Sequence, residues 1–160
     1  RIIAVDILDQ KLQFSVQFGA TDIVNADKED PVEAIKGLTH GGVGYAFDTF
    51  GSVVTTNQAF QSLRPTGVGV VIGLAPVGDV VPVNLVDLVR NQKTITGSYY
   101  GATSPHESFR RLVTFYRQGR VDVEKLITRR YSLDDINDGF SAIEGGEDGR
   151  GVLIFDMETA

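Results

Sequence analysis

An acidic residue closes the first apolar run of the sequence, in a position that suits the binding of a sugar. The run Ile2-Ile3-Ala4-Val5 is typical of a strand buried on both faces, and Asp6 follows it directly. Parallel sheets bind ligands just beyond the carboxyl ends of their strands. A carboxylate there can accept hydrogen bonds from both hydroxyls of a ribose, and its charge opposes a 2′-phosphate. The alternative interpretation of Asp6 is a helix N-cap or a solvated strand end.

Two basic side chains could contact the same kind of ligand. Lys11 falls one turn into the helix predicted after Asp6, from where it could reach the same ribose; a solvated lysine is the alternative. Arg150 lies in a glycine-rich turn, residues 145–151. An arginine on such a turn suits a bidentate contact with a pyrophosphate, and the alternative is an ordinary surface arginine.

The glycines Gly67, Gly69 and Gly73 do not form a dinucleotide-binding fingerprint. That pattern needs a glycine where Ile72 stands, and its glycines follow a strand and open a helix, whereas these lie inside an apolar strand. We expect them to allow close backbone packing, or the approach of a ligand at Gly73 and Leu74 where the strand ends. Neither histidine has a partner at metal-binding spacing, so the sequence predicts no metal-binding residue. No GxSxG, Walker A or HExxH string occurs, so it predicts no catalytic residue either.

Strand-like and helix-like segments alternate along the chain and would position these side chains. Helices are predicted after most strands, and one of them opens at Pro105 with a capping box formed by Ser104 and Glu107. This alternation predicts an α/β fold with a doubly wound, mostly parallel sheet and helices on both faces. The predicted strands cover residues 1–6, 22–24, 43–49, 67–74, 93–99, 127–131 and 151–155.

Composition excludes several classes of protein. The 160 residues are 42% hydrophobic and 22% charged, which is typical of a globular domain and not of a disordered or fibrous chain. The net charge of -6 argues against nucleic acid as the main partner, and without cysteine these residues can form no disulfide and no thiolate site. No apolar run is long enough to span a bilayer and no secretory signal is present, so the prediction is a cytoplasmic protein that binds no membrane. Because the sequence opens inside a strand and without Met, we expect a piece of a longer chain.

Taken in order, several short strings resemble the zinc-type medium-chain alcohol dehydrogenases. The similarity runs over essentially the whole chain, and the order and spacing of the strings together are fairly specific. It implies a Rossmann-like coenzyme domain at residues 1–99, without its first strand and glycine fingerprint, and a C-terminal segment of the catalytic domain at residues 100–160. The strings are Ile2-Ile3-Ala4-Val5-Asp6, Phe18-Gly19-Ala20-Thr21-Asp22, Gly41-Gly42-Val43 with Phe47-Asp48, residues 70–74, Gly97, and residues 147–155.

The resemblance implies a role for each candidate site residue. Asp6 matches the acidic residue that anchors the ribose, which implies NAD over NADP, and Lys11 matches a lysine that contacts the ribose. Leu74 matches the strand-end residue beside the nicotinamide ribose, and Arg150 matches an arginine that contacts the pyrophosphate. Tyr99 and Tyr100 fall where the backbone of the family borders the nicotinamide.

The rest of the family's machinery is expected before Arg1. That machinery comprises the fingerprint, the zinc ligands and the proton relay, so the cofactors implied are NAD and a zinc ion held outside these residues. If only these residues were present, a sheet of order 3-2-1-4-5-6 would lack its middle strand. The resemblance also implies a homo-oligomer formed through the strand at residues 93–99.

The function predicted from the sequence is therefore one part of an NAD-dependent alcohol dehydrogenase. Hydride would pass between a small alcohol or aldehyde substrate and nicotinamide, with assistance from zinc. One alternative is a zinc-free reductase of the quinone oxidoreductase kind, which is usually linked to NADP and is disfavoured by Asp6. The other alternative is a nucleotide-binding or assembly module without chemistry of its own.

Overall fold

The computed structural model describes residues 1–146 and 149–155, and the chain divides into two compact units. The first unit is Arg1–Ala102 and the second is Thr103–Ala160. Strands and helices alternate in the first unit, as the sequence predicts. Its elements are β1 (Ile3–Asp6), α1 (Asp9–Val16), β2 (Asp22–Asn25), α2 (Pro31–Thr39), β3 (Val43–Asp48), α3 (Val53–Gln61), β4 (Leu63–Val71), α4 (Leu85–Arg90), β5 (Thr94–Gly97) and a 3-10 turn, Tyr100–Ala102.

Capping by side chains defines where the helices of the first unit begin. Asp30 accepts hydrogen bonds from the backbone N–H groups of Val32 at 2.8 Å and Glu33 at 3.1 Å, and Pro31 supplies the first helical residue of α2. Ser52 and Thr55 form a reciprocal capping box at the start of α3. These caps satisfy N–H groups that have no partner inside the helix.

The strands of the first unit form two separate parallel sheets. One sheet has the order β1-β2, and the other has the order β3-β4-β5. The apolar strand β4 is central in its sheet, in agreement with its sequence. It begins at Leu63, four residues earlier than predicted, because an irregular stretch pairs Leu63 with Val43 before the regular ladder starts at Val68.

A cleft separates the two sheets at the place where the resemblance implies a missing strand. Within the described residues, no ladder of hydrogen bonds joins β1 to β3. Ile3 and Val5 of β1 and Tyr45 and Phe47 of β3 line the cleft, which has a volume of about 640 Å³. Tyr45 is 67% exposed and Phe47 is 63% exposed, so apolar surface on β3 has no cover in this part of the chain. The arrangement agrees with the expected gap in the sheet.

The core of the first unit lies where helices pack on strands. Helix α1 packs on β1 and β2, while α2 contacts β2 and β3 and α3 contacts β3 and β4. The spacing of the apolar residues places one face of each helix inward. The buried apolar side chains of this core are Leu12, Val24, Val32, Ile35, Phe60 and Leu63.

Among residues 103–146 and 149–155, the second unit holds two helices, a short parallel sheet and a 3-10 turn. Its elements are α5 (Pro105–Arg117), the 3-10 turn Glu124–Leu126, β6 (Arg129–Tyr131), α6 (Ile136–Glu144) and β7 (Gly151–Leu153), and β6 pairs with β7. Helix α5 begins at Pro105 as predicted, but the predicted capping box is wrong, since the Ser104 side chain makes no cap hydrogen bond. The fixed φ of Pro105 already suits the first turn without that bond. No helix in residues 1–146 and 149–155 is long and apolar enough to cross a bilayer.

Candidate functional site

Asp6 lies at the carboxyl end of β1 with one carboxylate oxygen available. It stands opposite Asn25, the last residue of β2, and its side chain is half-buried. Oδ1 accepts a hydrogen bond from the backbone N–H of Leu8 at 3.0 Å, which orients the carboxylate. Oδ2 makes no hydrogen bond within the described part of the chain. The group can therefore accept hydrogen bonds from a ligand hydroxyl, as the ribose hypothesis requires.

Lys11 lies in the first turn of α1, five residues after Asp6 along the chain. Its side chain is exposed, and among the described residues it forms no ion pair. Its ammonium group is thus accessible from solvent. A solvated lysine has the same appearance, so the ribose contact of Lys11 stays a prediction.

A polar cluster that the sequence did not predict lies beside Asp6. Asn25 is 8% exposed; its amide donates to Asp9 at 2.6 Å and its carbonyl oxygen accepts from the backbone of Asp27 at 2.9 Å. Lys28 pairs with the other oxygen of Asp9 at 2.5 Å. Hydrogen bonds from Lys28 and Asn25 lower the pKa of Asp9 below its ordinary value. The cluster fixes the loop after β2 against the start of α1, and Asn25 as the terminal residue of a strand was its only sequence signal.

The carboxyl ends of β4 and β5 bring together the other candidate residues of the first unit. Leu74 follows β4 and is 77% exposed, and Tyr99 and Tyr100 follow β5 with their rings edge to face at 4.5 Å. Because β4 and β5 are parallel, these side chains lie beyond the same edge of one sheet. They form an exposed apolar border at the edge where α/β sheets bind ligands.

The predicted close approach at Gly73 is confirmed, with backbone as its partner. A Cβ added to Gly73 would lie 2.2 Å from a backbone carbon of Phe50, and one added to Gly51 would lie 2.2 Å from a backbone carbon of Gly73. Gly67 is also close-packed, since its Cβ would lie 2.9 Å from the carbonyl oxygen of Arg64. These glycines therefore let neighbouring chain segments touch, although only Gly67 lies within a strand. The expectation is wrong for Gly69, where an added Cβ would make only ordinary contacts, at 3.5 Å or more.

Arg150 belongs to the second unit and directly precedes β7. Its side chain is exposed, and its backbone N–H donates to the hydroxyl of Thr128 at 3.2 Å. Of the predicted glycine-rich turn, Glu147 and Asp148 lie outside the described residues. The guanidinium is exposed at the end of this turn, and its contact with a pyrophosphate stays a prediction.

The described residues contain no group of three His, Cys, Asp or Glu side chains that could hold a metal. A zinc ion therefore does not fit the described part of this chain. In the first unit, the open carboxylate of Asp6 offers a hydrogen-bond acceptor, and Leu74 and Tyr99 offer exposed apolar surface. In the second unit, the exposed Arg150 offers a cation.

The sequence is similar to those of known dehydrogenases. The chain is 32% identical to S-(hydroxymethyl)glutathione dehydrogenase of Paracoccus denitrificans over 96% of its own length. It is 31% identical to alcohol dehydrogenase class-3 of Caenorhabditis elegans over 98% of its length. The chain spans 43% of the first of these relatives and 42% of the second.

Solved structures share the fold as well. Benzyl alcohol dehydrogenase of Acinetobacter calcoaceticus superposes with a TM-score of 0.89 at 34% identity, covering 95% of this chain and 42% of that one. The alcohol dehydrogenase of Aeropyrum pernix superposes with a TM-score of 0.80 at 29% identity, covering 96% of this chain and 42% of that one. The family model described as "Zinc-binding dehydrogenase" matches residues 1–118. By fold and by sequence, the chain belongs to the zinc-binding dehydrogenase family.

Proposed function

We propose that this chain forms the C-terminal part of an NAD-dependent, zinc-type alcohol dehydrogenase. The observation that carries the proposal is the open carboxylate of Asp6 at the end of a parallel strand in a chain of this family. NAD, when bound, supplies the nicotinamide carbon that accepts or donates hydride during interconversion of an alcohol and its aldehyde or ketone. The substrate class proposed is small alcohols and aldehydes.

Each part of the coenzyme is assigned to one or two of the candidate residues. The free oxygen of Asp6 accepts from the ribose hydroxyls, and Lys11 donates to the same sugar. Leu74 packs beside the nicotinamide ribose, and the chain at Tyr99 and Tyr100 borders the nicotinamide. Arg150 pairs with the pyrophosphate. The exposure of all these side chains except the half-buried Asp6 supports the assignment, since each is available to a ligand.

The zinc ion belongs to a part of the enzyme outside these residues in this proposal. The described residues lack a metal-binding group, so no zinc ligand is assigned to them. Residues 1–99 are proposed to be the coenzyme domain and residues 100–160 a segment of the catalytic domain. The observed boundary between the two units, after Ala102, lies close to the proposed one.

The cleft between β1 and β3 has a place in this proposal. We propose that one strand from another part of the enzyme fills it and pairs with both sheets. The support is that both flanking strands have a partner on one side only and that Tyr45 and Phe47 are exposed there. A completed sheet would satisfy the backbone groups along both edges.

The enzyme is further proposed to be a cytoplasmic homo-oligomer that binds neither nucleic acid nor membrane. Residues 93–99 are proposed as its interface, because β5 pairs with β4 on one side and leaves the other edge free in the described part of the chain. A free edge can add a strand from a second copy. Cell fractionation tests the location.

Asp6→Ala in the complete protein that contains this chain tests the coenzyme assignment. With the carboxylate removed, the repulsion of a 2′-phosphate disappears, so the ratio of kcat/KM for NAD to that for NADP should fall by about tenfold or more. Steady-state kinetics with both coenzymes measures this ratio. Glu33→Ala is the matched control, since it removes a side chain that is 75% exposed on α2. An unchanged ratio for Asp6→Ala would remove Asp6 from the site, and NADP preference in the wild-type enzyme would favour the zinc-free reductase.

A further inference from the structure

The carboxylate of Asp48 is buried, and the coenzyme contacts proposed above do not use it. Asp48 is the last residue of β3 and is 5% exposed. In the described part of the chain it is the one acidic side chain that is buried. A buried carboxylate is costly unless hydrogen bonds compensate for the lost hydration. The partners of this carboxylate therefore indicate what it does.

Four donors from the following segment converge on this carboxylate. Oδ1 accepts from the backbone N–H groups of Phe50 at 3.1 Å and Gly51 at 3.0 Å. Oδ2 accepts from the hydroxyls of Thr55 at 3.2 Å and Thr56 at 2.5 Å. Burial by itself raises the pKa of Asp48, but these hydrogen bonds together hold the pKa below its ordinary value. The ionised carboxylate thus binds the turn after β3 to the first turn of α3.

The backbone of the same residue holds the end of β4. The carbonyl oxygen of Asp48 accepts from the backbone N–H groups of Ile72 at 2.8 Å and Gly73 at 3.0 Å. Gly73 lies so close to the turn that an added Cβ would be 2.2 Å from a backbone carbon of Phe50. Leu74 is the next residue. A displacement of the turn after β3 must therefore displace the backbone that carries Leu74, because no side chain lies between the two segments to absorb it.

We propose that Asp48 is a positioning residue for the coenzyme, which holds the turn after β3 against the end of β4 and thereby places Leu74 at the edge of the site. This inference rests on the proposed function, because it needs the coenzyme to bind at the carboxyl edge of this sheet. Asp48 does not touch the coenzyme itself, since both of its oxygens are occupied within the protein. Asp48 affects coenzyme binding only through the position of Leu74.

Three variants of the complete protein separate positioning from general stability. Asp48→Ala leaves the N–H groups of Phe50 and Gly51 without their acceptor, and the Kd for NAD should rise by about tenfold. Asp48→Asn keeps one oxygen for these groups and donates its amide to the hydroxyl of Thr56, which can rotate to accept, so the Kd should stay within about twofold of the wild type. Thr56→Val removes the shortest of the four bonds and should raise the Kd by about threefold, which gives a milder variant if Asp48→Ala does not fold.

Asp87→Ala is the matched control. The Asp87 carboxylate is also well bonded, by Lys93 at 2.9 Å and Asn91 at 2.6 Å, but it lies on α4 and precedes β5 rather than following a strand. Its loss should lower stability, yet the Kd for NAD should stay within about twofold. A purely structural role for Asp48 would give the same result as this control.

Two measurements read out the proposal. Calorimetry gives the Kd for NAD, and hydrogen exchange followed by mass spectrometry on the coenzyme-free protein reports local opening. In Asp48→Ala, exchange should accelerate both at residues 48–56 and at residues 70–76, while Asp48→Asn should resemble the wild type at both. Asp87→Ala should change neither segment.

The outcomes are distinguishable. Acceleration in both segments together with weaker NAD binding supports the positioning role. Acceleration confined to residues 48–56, or an unchanged Kd in a folded Asp48→Ala protein, overturns it; if that variant does not fold, an unchanged Kd in Thr56→Val overturns it instead. A wild-type protein that binds no NAD would overturn the proposed function and the positioning role with it, while the exchange pattern would still show whether the two segments are mechanically linked.

Discussion

Asp6 and Asp48 each end a parallel strand, but their surroundings give the two carboxylates opposite uses. The carboxylate of Asp6 accepts one internal hydrogen bond, from the backbone N–H of Leu8, and its other oxygen is available to a ligand. The carboxylate of Asp48 accepts four internal hydrogen bonds, and the residue is almost completely buried. An acidic residue at a strand end was therefore a sound signal for the carboxyl edge of the sheet, but its role depends on which donors the fold brings to it.

The prediction at the scale of single residues concerns the side chain of Arg150. In the complete protein, Arg150→Ala should weaken NAD binding by about 1–3 kcal/mol, as the loss of a charge-assisted hydrogen bond does. Fluorescence titration with NAD measures the change. Arg117→Ala, which removes an exposed arginine from the last turn of α5, serves as the control. If the dissociation constant for NAD in Arg150→Ala equals that of the wild type within error, Arg150 is an ordinary surface arginine that does not contact the coenzyme.

At the scale of elements, the segments that follow β3 and β4 are in close backbone contact. The sequence predicted both strands and the helix between them, and it correctly identified Gly73 as a point of close approach, two residues after β4 ends. It could not identify the partner, because the backbone at Phe50 that touches Gly73 lies more than twenty residues earlier. The start of β4 at Leu63 was missed for a similar reason, since pairing with Val43 extends the strand beyond its apolar run.

Gly73→Ala tests this contact between elements. The new Cβ would meet backbone that cannot rotate away, so the free energy of unfolding should fall by about 1–3 kcal/mol. Gly37→Ala in α2 is the control, because its Cβ meets no atom within 4 Å and alanine favours helix, so it should stabilise by about 0.5–1 kcal/mol. Urea denaturation of the complete protein measures both. Equal stability of Gly73→Ala and wild type would mean that the two segments lie further apart than described.

At the scale of the whole molecule, several strand edges of the first unit are unpaired. The edges of β1 and β3 face the cleft, and the outer edge of β5 has no partner among the described residues. All four residues of β5 are exposed. Unpaired edges of this kind add further strands, so the proposed missing strand and the proposed homo-oligomer have the same physical basis.

Ile95→Pro tests assembly through β5. The backbone N–H of Ser98 donates to the carbonyl oxygen of Val71 in β4 at 2.9 Å. Successive backbone N–H groups of a strand point to opposite sides, so the N–H of Ile95 faces away from β4. Proline at this position removes an outward donor while leaving the pairing with β4 intact, and light scattering should show loss of the oligomer in a folded protein.

Thr96→Pro provides the contrast for this experiment. The N–H of Thr96 faces β4, so this change should break the internal ladder and lower the melting temperature, which Ile95→Pro should not do. A wild-type protein that is monomeric, or an Ile95→Pro protein that assembles normally, would contradict the proposed interface.

The sequence by itself determined the alternation of strands and helices, the parallel α/β class and the family resemblance. These follow from local features: the period of apolar residues, the capping residues near helix starts and the acids and glycines at strand ends. Local rules went wrong where a local bond was optional, as at Ser104, since Pro105 already provides the first turn of α5.

The tertiary structure decided which strands pair and which carboxylate is buried with both oxygens hydrogen-bonded inside the protein. The separation of β1-β2 from β3-β4-β5 depends on hydrogen bonds between segments distant along the chain, which no local pattern encodes. Likewise, Asp48 is buried because the turn after β3 folds back to bring Phe50, Gly51 and the threonines of α3 to its oxygens, whereas Asp6 meets only Leu8. The residue type supplied a carboxylate at both strand ends. The packing around each one determined whether it is hydrogen-bonded within the protein or has an oxygen available to a ligand.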